Sequence, residues 1–366
     1  MRALHLIAPG PIAGAERVVI GGVDALRSAG VDASLVVLGD ARVAAAARDF
    51  SAAAMTRRIA PDLVWAAGRL DPRAILTLRA AVAARAPDLV HVHGYRALFY
   101  ALAAGGAAPL VATHHGVTSH DARVRAYERL TYALYRLPRV RRVLAVSAAG
   151  HDELRAHGVP HARLARVPNF LALDAPIPAQ RAPSAGPSAT PISLLFLGRL
   201  SPEKGLDLLL AALALPAAPP ARLDVVGDGP ERAALERTAA AAGLSARATF
   251  HGFQSDVAPF LAAADALVMP SRREGLPMAL IEAVAAARPV VATAVGGIPE
   301  LVTPGDNGEL APPDDAPALA AALARLVAAL PARQSSALAH AHEVRRAYSP
   351  TAWAEATRAV YAEAAH

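Results

Sequence analysis

Short runs of apolar and β-branched residues alternate with longer segments rich in Ala and Leu along almost the whole chain. The runs lie at residues 4–7, 33–38, 88–92, 110–113 and 143–146, and then, after an interruption, at 192–198, 223–227, 248–252, 266–270 and 289–293. Such alternation is typical of βαβ units, in which helices connect parallel strands. The sequence therefore predicts an α/β protein with two parallel sheets.

The interruption predicts a domain boundary. Residues 171–191 read LALDAPIPAQRAPSAGPSATP, which is rich in Pro, Ala and Ser, has little apolar periodicity and is typical of a linker. A chain of 366 residues has the length of two ordinary domains. We predict an N-terminal domain over 1–170, this linker, a C-terminal domain over 192–348, and a helix over 349–366 that crosses back to the N-terminal domain.

Composition narrows the class of protein. Hydrophobic residues make up 54% of the chain and aromatic residues only 4%, so the cores must consist of Ala, Leu and Val, as suits helices on parallel strands. The absence of Cys excludes disulfides, thiolate nucleophiles and Cys-ligated zinc and favours a cytoplasmic location.

The first apolar run ends at Pro9, too early for a secretory signal. The uncharged stretch 97–113 contains Gly and Pro, which indicates buried helix, turn and strand.

The formal charge of +6 includes a cluster of arginines at Arg136, Arg139, Arg141 and Arg142. One interpretation is a solvated surface. The other is attraction to anionic lipid or to a phosphorylated acceptor. Nucleic acid is not an expected partner, because no helix-turn-helix, zinc finger or basic-aromatic pattern is present.

One loop of the second half suggests phosphate binding. In doubly wound sheets, ligands lie outside the carboxyl ends of the strands. Arg199 follows the strand at 192–198, and Lys204 precedes the next helix, so two cations and free helix amides meet there, as a diphosphate requires. The spacing is not that of a Walker A loop. Ordinary surface Arg and Lys is the alternative interpretation.

Glu274 and Glu282 flank a second candidate segment, in which Gly275 and Pro277 favour a turn into a helix. We therefore expect Glu274 just before the helix and Glu282 two turns inside it. If both glutamates lay on one helix, eight residues would separate them by roughly 12 Å, the scale of a nucleotide diphosphate sugar. One carboxylate would then hold sugar hydroxyls and the other ribose hydroxyls. The alternative is a helix N-terminal charge followed by one solvated Glu.

The histidines do not show metal-binding spacing, since HxxxH and HExxH are absent, and no metal is expected. His5 and His91 are expected to be packed in the structure. His93 ends a strand and is open to two interpretations, a packed imidazole or a residue that lines a cleft. Asp228 is expected to stabilise a turn or cap a helix.

The ordered set of motifs resembles family 4 of the retaining glycosyltransferases. The matching segments are the GAE loop at 14–16, DLVHVHG, ATHHG, VSAAG, VPNF, LGRLSPEKG, VGDGPE, HGF, the E-x7-E of Glu274 and Glu282, VVATAVGGIPELV and DNGEL. The resemblance covers nearly the whole chain and implies the GT-B fold, in which two Rossmann-like domains face each other across a cleft. The VPNF segment lacks the family's usual Gly after Asn169, so no role is assigned there.

The resemblance also implies a set of site residues. Arg199 and Lys204 would bind the donor diphosphate, Glu274 the sugar hydroxyls and Glu282 the ribose. His115 would face the donor sugar, although the neighbouring His114 leaves open which imidazole points inward. Catalytic roles fall on His115 and Glu274, and donor-binding roles on Gly14, Arg199, Lys204, His251, Gly252, Phe253, Gly275, Leu276, Pro277 and Glu282.

The implied activity is transfer of a sugar, with retention and without a metal or other cofactor, from a nucleotide diphosphate sugar to a saccharide, lipid-linked or small-molecule acceptor. A role in bacterial glycan or polysaccharide biosynthesis is expected. The segment YERLTYALYRLPRVRR at 127–142 suggests peripheral contact with the cytoplasmic membrane. Alternatively, Tyr127, Leu130, Leu134 and Leu137 pack on the sheet.

Other functions remain open on the sequence alone. A sugar-nucleotide epimerase or a non-catalytic sugar-nucleotide-binding protein fits the same fold. A phosphorylase would carry a pyridoxal-binding Lys, for which no motif is visible. A nicotinamide dehydrogenase is disfavoured because the loop after the first strand, GPIAG, is not GxGxxG.

Overall fold

A computed structural model of the chain describes residues 1–10, 12, 14–68, 70–116, 122–171 and 191–365, with no side-chain description over 122–126. The chain divides into two compact units. Unit 1 is Met1–Ala172 with Tyr348–His366, and unit 2 is Leu173–Ala347. The predicted linker at 171–191 lies almost entirely outside the described residues.

Unit 1 contains a parallel sheet whose strands, in the part of the chain described, are β1 Arg2–Ile7, β2 Asp32–Asp40, β3 Asp62–Ala66, β4 Leu89–His93, β5 Leu110–His114, β6 Val140–Ala145 and β7 Leu164–Arg166. Their order in the sheet is β3-β2-β1-β4-β5-β6-β7. The five predicted runs are confirmed as β1, β2, β4, β5 and β6. β3 and β7 were not predicted, because each is a short edge strand, and β3 exposes Leu63 and Trp65.

Helices cover both faces of the unit 1 sheet and explain why β1 is buried from Ala3 onward. They are α1 Gly14–Ser28, α2 Ala44–Thr56, α3 Pro72–Arg85, α4 Tyr95–Ala104, α5 Ala122–Tyr135, α6 Ala148–Ala156 and, from the end of the chain, α13 Pro350–Ala365. Local sequence signals set several starts. The Asp71 carboxylate accepts from the Arg73 amide at the start of α3, and the Ser147 hydroxyl accepts from the Gly150 amide at the start of α6.

Unit 2 repeats the architecture. Over residues 191–347 its strands are β8 Ile192–Leu197, β9 Ala221–Val226, β10 Ala248–Gly252, β11 Ala266–Met269, β12 Val290–Thr293 and β13 Gly308–Ala311. Its helices are α7 Leu206–Leu213, α8 Arg232–Ala241, α9 Ala258–Ala263, α10 Met278–Ala285, α11 Ala316–Ala328 and α12 Leu330–Ala347. The strands are parallel in the order β10-β9-β8-β11-β12-β13, so the predicted pair of Rossmann-like parallel-sheet domains is confirmed.

The strand order reverses direction once in each sheet, between β1 and β4 in unit 1 and between β8 and β11 in unit 2. Connections leave in opposite directions at such a point, which opens a crevice at the carboxyl ends of the two central strands. The fold therefore directs attention to the loops that follow β1, β4, β8 and β11.

No single helix in the described part of the chain is long and apolar enough to cross a membrane. α11 and α12 reach the required length and composition only as a pair, and the pair bends by 88° at the break between them.

Candidate functional site

Two loops of unit 2 are in backbone contact at the strand-order reversal. One follows β8 and includes Lys204 and Gly205; the other follows β11 and begins at Pro270. Gly205 has φ 67°, and a Cβ on it would lie 2.0 Å from the Pro270 carbonyl oxygen. Only glycine fits at this distance and this φ, so the two loops are held together.

Lys204 and Glu274 form an ion pair across these loops. The Lys204 Nζ atom donates to Glu274 Oε1 at 2.7 Å, and the Ser271 hydroxyl donates to the same oxygen at 2.7 Å. The Glu274 side chain is 4% exposed and that of Lys204 is 22% exposed. Two predicted site residues 70 positions apart therefore lie together, and the buried carboxylate is compensated by a cation that still reaches solvent.

Arg272 also connects these two loops through hydrogen bonds. Its guanidinium donates to both Asp207 oxygens, at 2.8 and 2.7 Å, to Asp314 at 2.6 Å and to the Pro202 carbonyl at 2.6 Å. Hydrogen bonding from Arg272 holds the pKa of the Asp207 carboxyl below its usual range. Such bidentate contact fixes geometry as well as charge, so Arg272 positions the loop that carries Lys204.

Arg199 lies at the edge of the site and is exposed, with no ion-pair partner among the described residues. Its neighbours are fixed: the Leu200 amide donates to the Asp228 carbonyl at 3.0 Å, and a Cβ on Gly227 would lie 1.9 Å from the Gly198 carbonyl. The Asp228 carboxylate accepts from the Gly229 amide of its own loop at 2.7 Å, and it does not cap α8, whose N-cap is Glu231. The backbone at Arg199 is thus held in place while its side chain remains available.

The segment from Gly275 to Pro277 leads into α10, which begins at Met278 with Pro277 at the N-cap. Glu282 is the fifth residue of α10 and is buried, so the interpretation of Glu282 as a solvated residue is wrong. Glu274 lies just before the helix, as predicted, so the single-helix spacing of roughly 12 Å does not describe this pair. The Gly275 carbonyl accepts from the Gly297 amide at 2.6 Å, and Leu276 is buried.

The HGF segment ends β10. His251 Nε2 lies 2.6 Å from Asp224 Oδ1, and its ring contacts Phe260 edge-on at 4.9 Å. Gly252 has φ 73°, which turns the chain so that Phe253 is 67% exposed. An exposed aromatic ring beside a fixed imidazole is a suitable surface for a flat, partly apolar group.

In unit 1, the two neighbouring histidines at the end of β5 point to different surroundings. His114 packs against Tyr132 and Tyr135, and its Nε2 lies 3.9 Å from a Glu153 oxygen. His115 Nε2 lies 3.4 Å from His93 Nδ1, beside the strand-order reversal. Burial, with a further contribution from His114, lowers the pKa of His115 to about 4, so its imidazole is neutral at neutral pH.

His5, His91 and His93 cluster behind His115. Their nearest ring nitrogens lie within 4.8 Å of one another, a spacing that a metal ion could bridge. Both nitrogens of His91 already have oxygen partners, however: Tyr361 at 2.6 Å and Thr113 at 2.7 Å. His5 and His91 are packed as predicted, and His93 is buried as well. The contacts describe a hydrogen-bonded cluster.

Gly14 is the first residue of α1, the helix that follows β1. Nearby, the Gly10 amide donates to Glu16 Oε1 at 3.1 Å. Residues 11 and 13 of the loop before the motif GAE lie outside the described residues. The helix amides begin at the crevice between β1 and β4.

Family models match both units. Residues 12–175 match the model described as Glycosyltransferase Family 4, and residues 191–329 match the model described as Glycosyl transferases group 1. The chain belongs to the family 4 glycosyltransferases.

Curated relatives of this glycosyltransferase align over part of their length. The 2-deoxystreptamine N-acetyl-D-glucosaminyltransferase of Streptomyces fradiae is 34% identical over 257 residues, which is 64% of this chain and 61% of the relative. The lipopolysaccharide core biosynthesis glycosyltransferase LpsE of Rhizobium meliloti is 35% identical over 162 residues, 44% of this chain and 47% of the relative. The chain thus matches about half to three fifths of the length of these relatives.

Solved structures share the architecture of the glycosyltransferase over its whole length. Anabaena HepE in complex with UDP and glucose superposes with a TM-score of 0.81 at 22% identity, covering 99% of both chains. Sucrose-phosphate synthase from Thermosynechococcus elongatus gives a TM-score of 0.79 at 22% identity, covering 99% of this chain and 98% of that one. The predicted GT-B fold class is confirmed.

Helix α5 of the glycosyltransferase does not pack as its leucine spacing suggested. Leu130 is 50% exposed and Leu137, just after the helix, is 41% exposed, so the expectation that both pack on the sheet is wrong. Tyr132 and Tyr135 are buried instead, and Leu134, which the same prediction placed on the sheet, does pack against the core. Large aromatic rings fill the space that the prediction gave to Leu.

Sequence reasoning missed three groups that shape these sites: Arg272, Ser271 and Tyr361. Arg272 resembles its neighbour Arg273 in sequence, and only its contacts with residues 65 and 42 positions away distinguish it. Tyr361 occurs in a helix that looked merely amphipathic. Its buried hydroxyl contacts His91, which lies 270 residues away in the sequence. No local sequence pattern around Tyr361 therefore indicates this contact.

Proposed function

We propose that the protein is a retaining glycosyltransferase that moves a sugar from a nucleotide diphosphate sugar to a saccharide, lipid-linked or small-molecule acceptor. The proposal is carried by the Lys204–Glu274 pair at the carboxyl end of the unit 2 sheet, where one cation and one carboxylate lie together at 2.7 Å. This is where a doubly wound sheet binds its ligand.

The pair suits a ligand that carries both phosphate and sugar. Lys204 has three N–H donors, and Glu274 uses one of them, so an ammonium that is still solvent-accessible can also donate to a phosphate oxygen. The second oxygen of Glu274 can accept from a sugar hydroxyl. Arg199 adds a second cation, and the buried Glu282 is assigned to the ribose by the family resemblance.

The reaction develops positive charge on the sugar and negative charge on the leaving diphosphate. Lys204, Arg199 and the amides at the start of α10 are proposed to stabilise the leaving group without a metal. In the retaining mechanism proposed here, the acceptor hydroxyl enters on the face that the phosphate leaves, and a phosphate oxygen takes its proton. His115 is assigned to the donor sugar and Phe253 to the nucleotide base.

The donor proposal draws on the relatives. A similar structure, Anabaena HepE, holds UDP-glucose at 21% identity to this chain, and the matched relatives are named as enzymes that transfer sugars. We therefore place UDP-sugars first, ahead of GDP- and ADP-sugars, and propose a role in bacterial glycan or polysaccharide biosynthesis.

A two-step experiment tests this function. Thermal stabilisation by a panel of UDP-, GDP- and ADP-sugars identifies the donor, because a ligand that binds only the folded state raises its stability. Release of the nucleotide diphosphate is then measured with and without candidate acceptors. Acceptor-dependent release with an α-configured product from an α-configured donor is expected. Stabilisation without any release would identify a binding protein, and an epimerised donor would identify an epimerase.

We further propose that the enzyme docks on the cytoplasmic face of the membrane through α5 and the turn after it. The supporting observation is that Leu130 and Leu137 are exposed beside the exposed Arg129 and Arg136, as in interfacial helices. Binding to vesicles should rise with anionic lipid and fall with salt. Leu130→Glu should abolish it while leaving UDP binding intact. No sedimentation with strongly anionic vesicles at low salt would contradict the proposal.

A further inference from the structure

Six side chains of unit 1 are linked end to end, and five of them lie in its interior. In order they are Thr113, His91, Tyr361, His5, His93 and His115. The distances along the series are 2.7 Å from Thr113 Oγ1 to His91 Nε2, 2.6 Å from His91 Nδ1 to the Tyr361 hydroxyl, 3.1 Å from that hydroxyl to His5 Nε2, 3.1 Å from His5 Nδ1 to His93 Nε2, and 3.4 Å from His93 Nδ1 to His115 Nε2.

The sheet and one helix bring these groups together. His5 is paired with His91 between β1 and β4, and His93 with Thr113 between β4 and β5. Registered residues of parallel strands point to the same face, and residues two apart in a strand do so as well. Helix α13 packs against β4 and β5, and its Tyr361 hydroxyl closes the gap between His91 and His5.

Counting protons gives the series only two complete arrangements. Burial lowers the pKa of His5 to about 3 and those of His91 and His93 well below the usual value. Each imidazole is therefore neutral, with one N–H and one bare nitrogen, and the phenol and the hydroxyl each have one O–H. If Tyr361 accepted from both His91 and His5, its own buried O–H would have no acceptor among the described residues, which is costly. Every contact is then satisfied, with the phenol proton used, only if all protons point towards His115 or all point towards Thr113.

The two ends of the series distinguish these arrangements. The Thr113 hydroxyl is buried and has no acceptor other than His91 among the described residues. If the protons pointed towards Thr113, this hydroxyl would lack an acceptor, and a buried unsatisfied donor is costly. With the protons pointing towards His115, Thr113 donates to His91 and the series ends at His115 Nδ1. That N–H also lacks a partner in the described part of the chain, but His115 is the one partly exposed member of the series, so a ligand oxygen can accept from it, whereas the Thr113 hydroxyl is buried.

We propose that this series is a single polarised hydrogen-bond chain that holds His115 as its Nδ1–H tautomer, with Tyr361 as the positioning residue that joins its two halves. His115 then presents a fixed N–H donor, suited to a hydroxyl or phosphate oxygen of a ligand. The use of this donor on the donor sugar rests on the proposed function, whereas the tautomer does not. In the neutral chain, each ring nitrogen of the three clustered histidines has a hydrogen-bond partner.

The tautomer is measured directly by long-range ¹H–¹⁵N correlation of the histidine rings in the full-length protein at pH 7.5, with His115→Gln to assign the signal. The Nδ1–H pattern is expected for His115 in the wild type. A wild-type His115 with the Nε2–H pattern would overturn the proposal, and this arm needs no other variant.

Tyr361→Phe removes one oxygen from the middle of the chain and keeps the ring. His5 then loses its donor, and the His115 signal should shift from the Nδ1–H pattern to a mixture in which at least half is the Nε2–H form. Thr113→Val, at the far end, should produce a smaller shift of the same sign. Tyr132→Phe is the matched control, since its buried hydroxyl donates to Glu153 outside the chain, and it should leave His115 unchanged.

An activity arm separates positioning from general structural damage. Tyr361→Phe is expected to lower turnover roughly tenfold, as loss of an outer partner of a functional histidine does, while the Kd for UDP stays within about twofold because Lys204 and Arg199 lie in unit 2. Equal tautomer populations in wild type and Tyr361→Phe would refute the chain whatever the activity.

If no sugar transfer is found at all, the proposed function fails and the tautomer measurement still decides the inference. Stabilisation by added Zn²⁺ with loss of all His5, His91 and His93 N–H signals would show a metal site instead and overturn it.

Discussion

The two units place polar groups at the same position of the same topology and use them in opposite ways. In unit 2 the reversal between β8 and β11 carries ion pairs whose cations still reach solvent, Lys204 with Glu274 and Arg272 with Asp207. In unit 1 the reversal between β1 and β4 carries fully buried imidazoles without a charged partner. Depth of burial accounts for the difference, because an ion keeps its charge only where water or a counter-ion compensates it.

The difference in burial determines which task the carboxyl end of each sheet can perform. Partly exposed cations remain available to an anionic ligand, so unit 2 is suited to hold a diphosphate. Buried neutral histidines cannot attract an anion, but their hydrogen bonds can fix where one proton lies. Binding strength and proton placement are thus separated between the two units.

The largest expected effect is acid destabilisation of unit 1. His5, His91, His93 and His115 have pKa values lowered by burial, those of His5 and His115 to about 3 and about 4. Below the unfolded value near 6.5 the unfolded chain binds protons that the folded chain does not, so stability falls as the pH drops from about 6.5 to about 4. Four such groups give up to about 5 kcal/mol per pH unit.

Urea unfolding at pH 7.5 and pH 5.5 measures this effect. Both tryptophans of the sequence, Trp65 and Trp353, belong to unit 1, so their fluorescence follows that unit alone. His342→Gln, at an exposed position of unit 2, is the matched control and should leave the pH dependence unchanged. A free energy of unfolding that is the same at both pH values would contradict the burial of neutral histidines.

Lys204→Met is expected to weaken UDP binding by roughly 10- to 100-fold, because it deletes a charge-assisted contact worth about 1.5–3 kcal/mol. Uridine, which has no phosphate, should bind both proteins equally. Calorimetric titration measures both ligands, and Arg222→Met, at an exposed position of the same unit, provides the control. Loss of uridine and UDP binding in equal measure would indicate that Lys204 supports the loop and does not contact phosphate.

Glu282→Gln and Glu274→Gln should separate binding from turnover. A ribose contact acts alike on ground and transition states, so Glu282→Gln should raise the donor's KM by about tenfold with kcat nearly unchanged. Glu274→Gln should lower kcat as well. Initial-rate kinetics at saturating acceptor distinguish the two, and identical profiles would refute the division of roles.

Arg272→Met should cost about 1 kcal/mol of folding stability, since Asp207 and Asp314 are about half exposed and solvent weakens the pairs. Asp207→Asn and the double variant complete a mutant cycle that isolates the pair. Weaker UDP binding in Arg272→Met, with the urea midpoint shifted, would support its role in positioning Lys204. Full additivity of the two single substitutions would show that the pair contributes nothing.

The smallest expected effect is that of metal removal. Transfer activity should survive EDTA, because Arg199 and Lys204 are proposed to compensate the diphosphate in place of a metal. Activity is measured before and after chelation, with magnesium or manganese added back. Loss on chelation that either ion restores would refute the metal-independent mechanism.

The sequence predicted the central strands because burial on both faces makes each of them an apolar run. Edge strands escaped prediction, since β3 alternates buried and exposed residues over only five positions. Contacts such as Lys204 with Glu274 depend on two loops 70 residues apart, and spacing along the chain does not reveal them. The resemblance to a family named both residues but not their contact.

The sequence left open whether His114 or His115 points towards the other histidines, and the alternation of side chains along the strand answers this. Successive side chains of a strand point to opposite faces, so Thr113 and His115 share one face of β5 and His114 takes the other. His91 and His93 lie two residues apart on β4, and His93 is paired with Thr113 of β5. Both histidines therefore point to the same face as Thr113. Period-two alternation therefore groups His115 with His93, as observed, whereas the depth of burial and the hydroxyl of Tyr361 required the folded structure.

Lys204 is the only lysine in the sequence, although the chain has 37 basic residues. Apart from the amino terminus, the proposed donor site thus contains the molecule's single primary amine. A mild acylating reagent would therefore label one side chain and leave the arginines untouched. Protection of that amine by a nucleotide, followed by intact-mass measurement, would report the occupancy of the site directly, in the unmodified sequence and without knowledge of the acceptor.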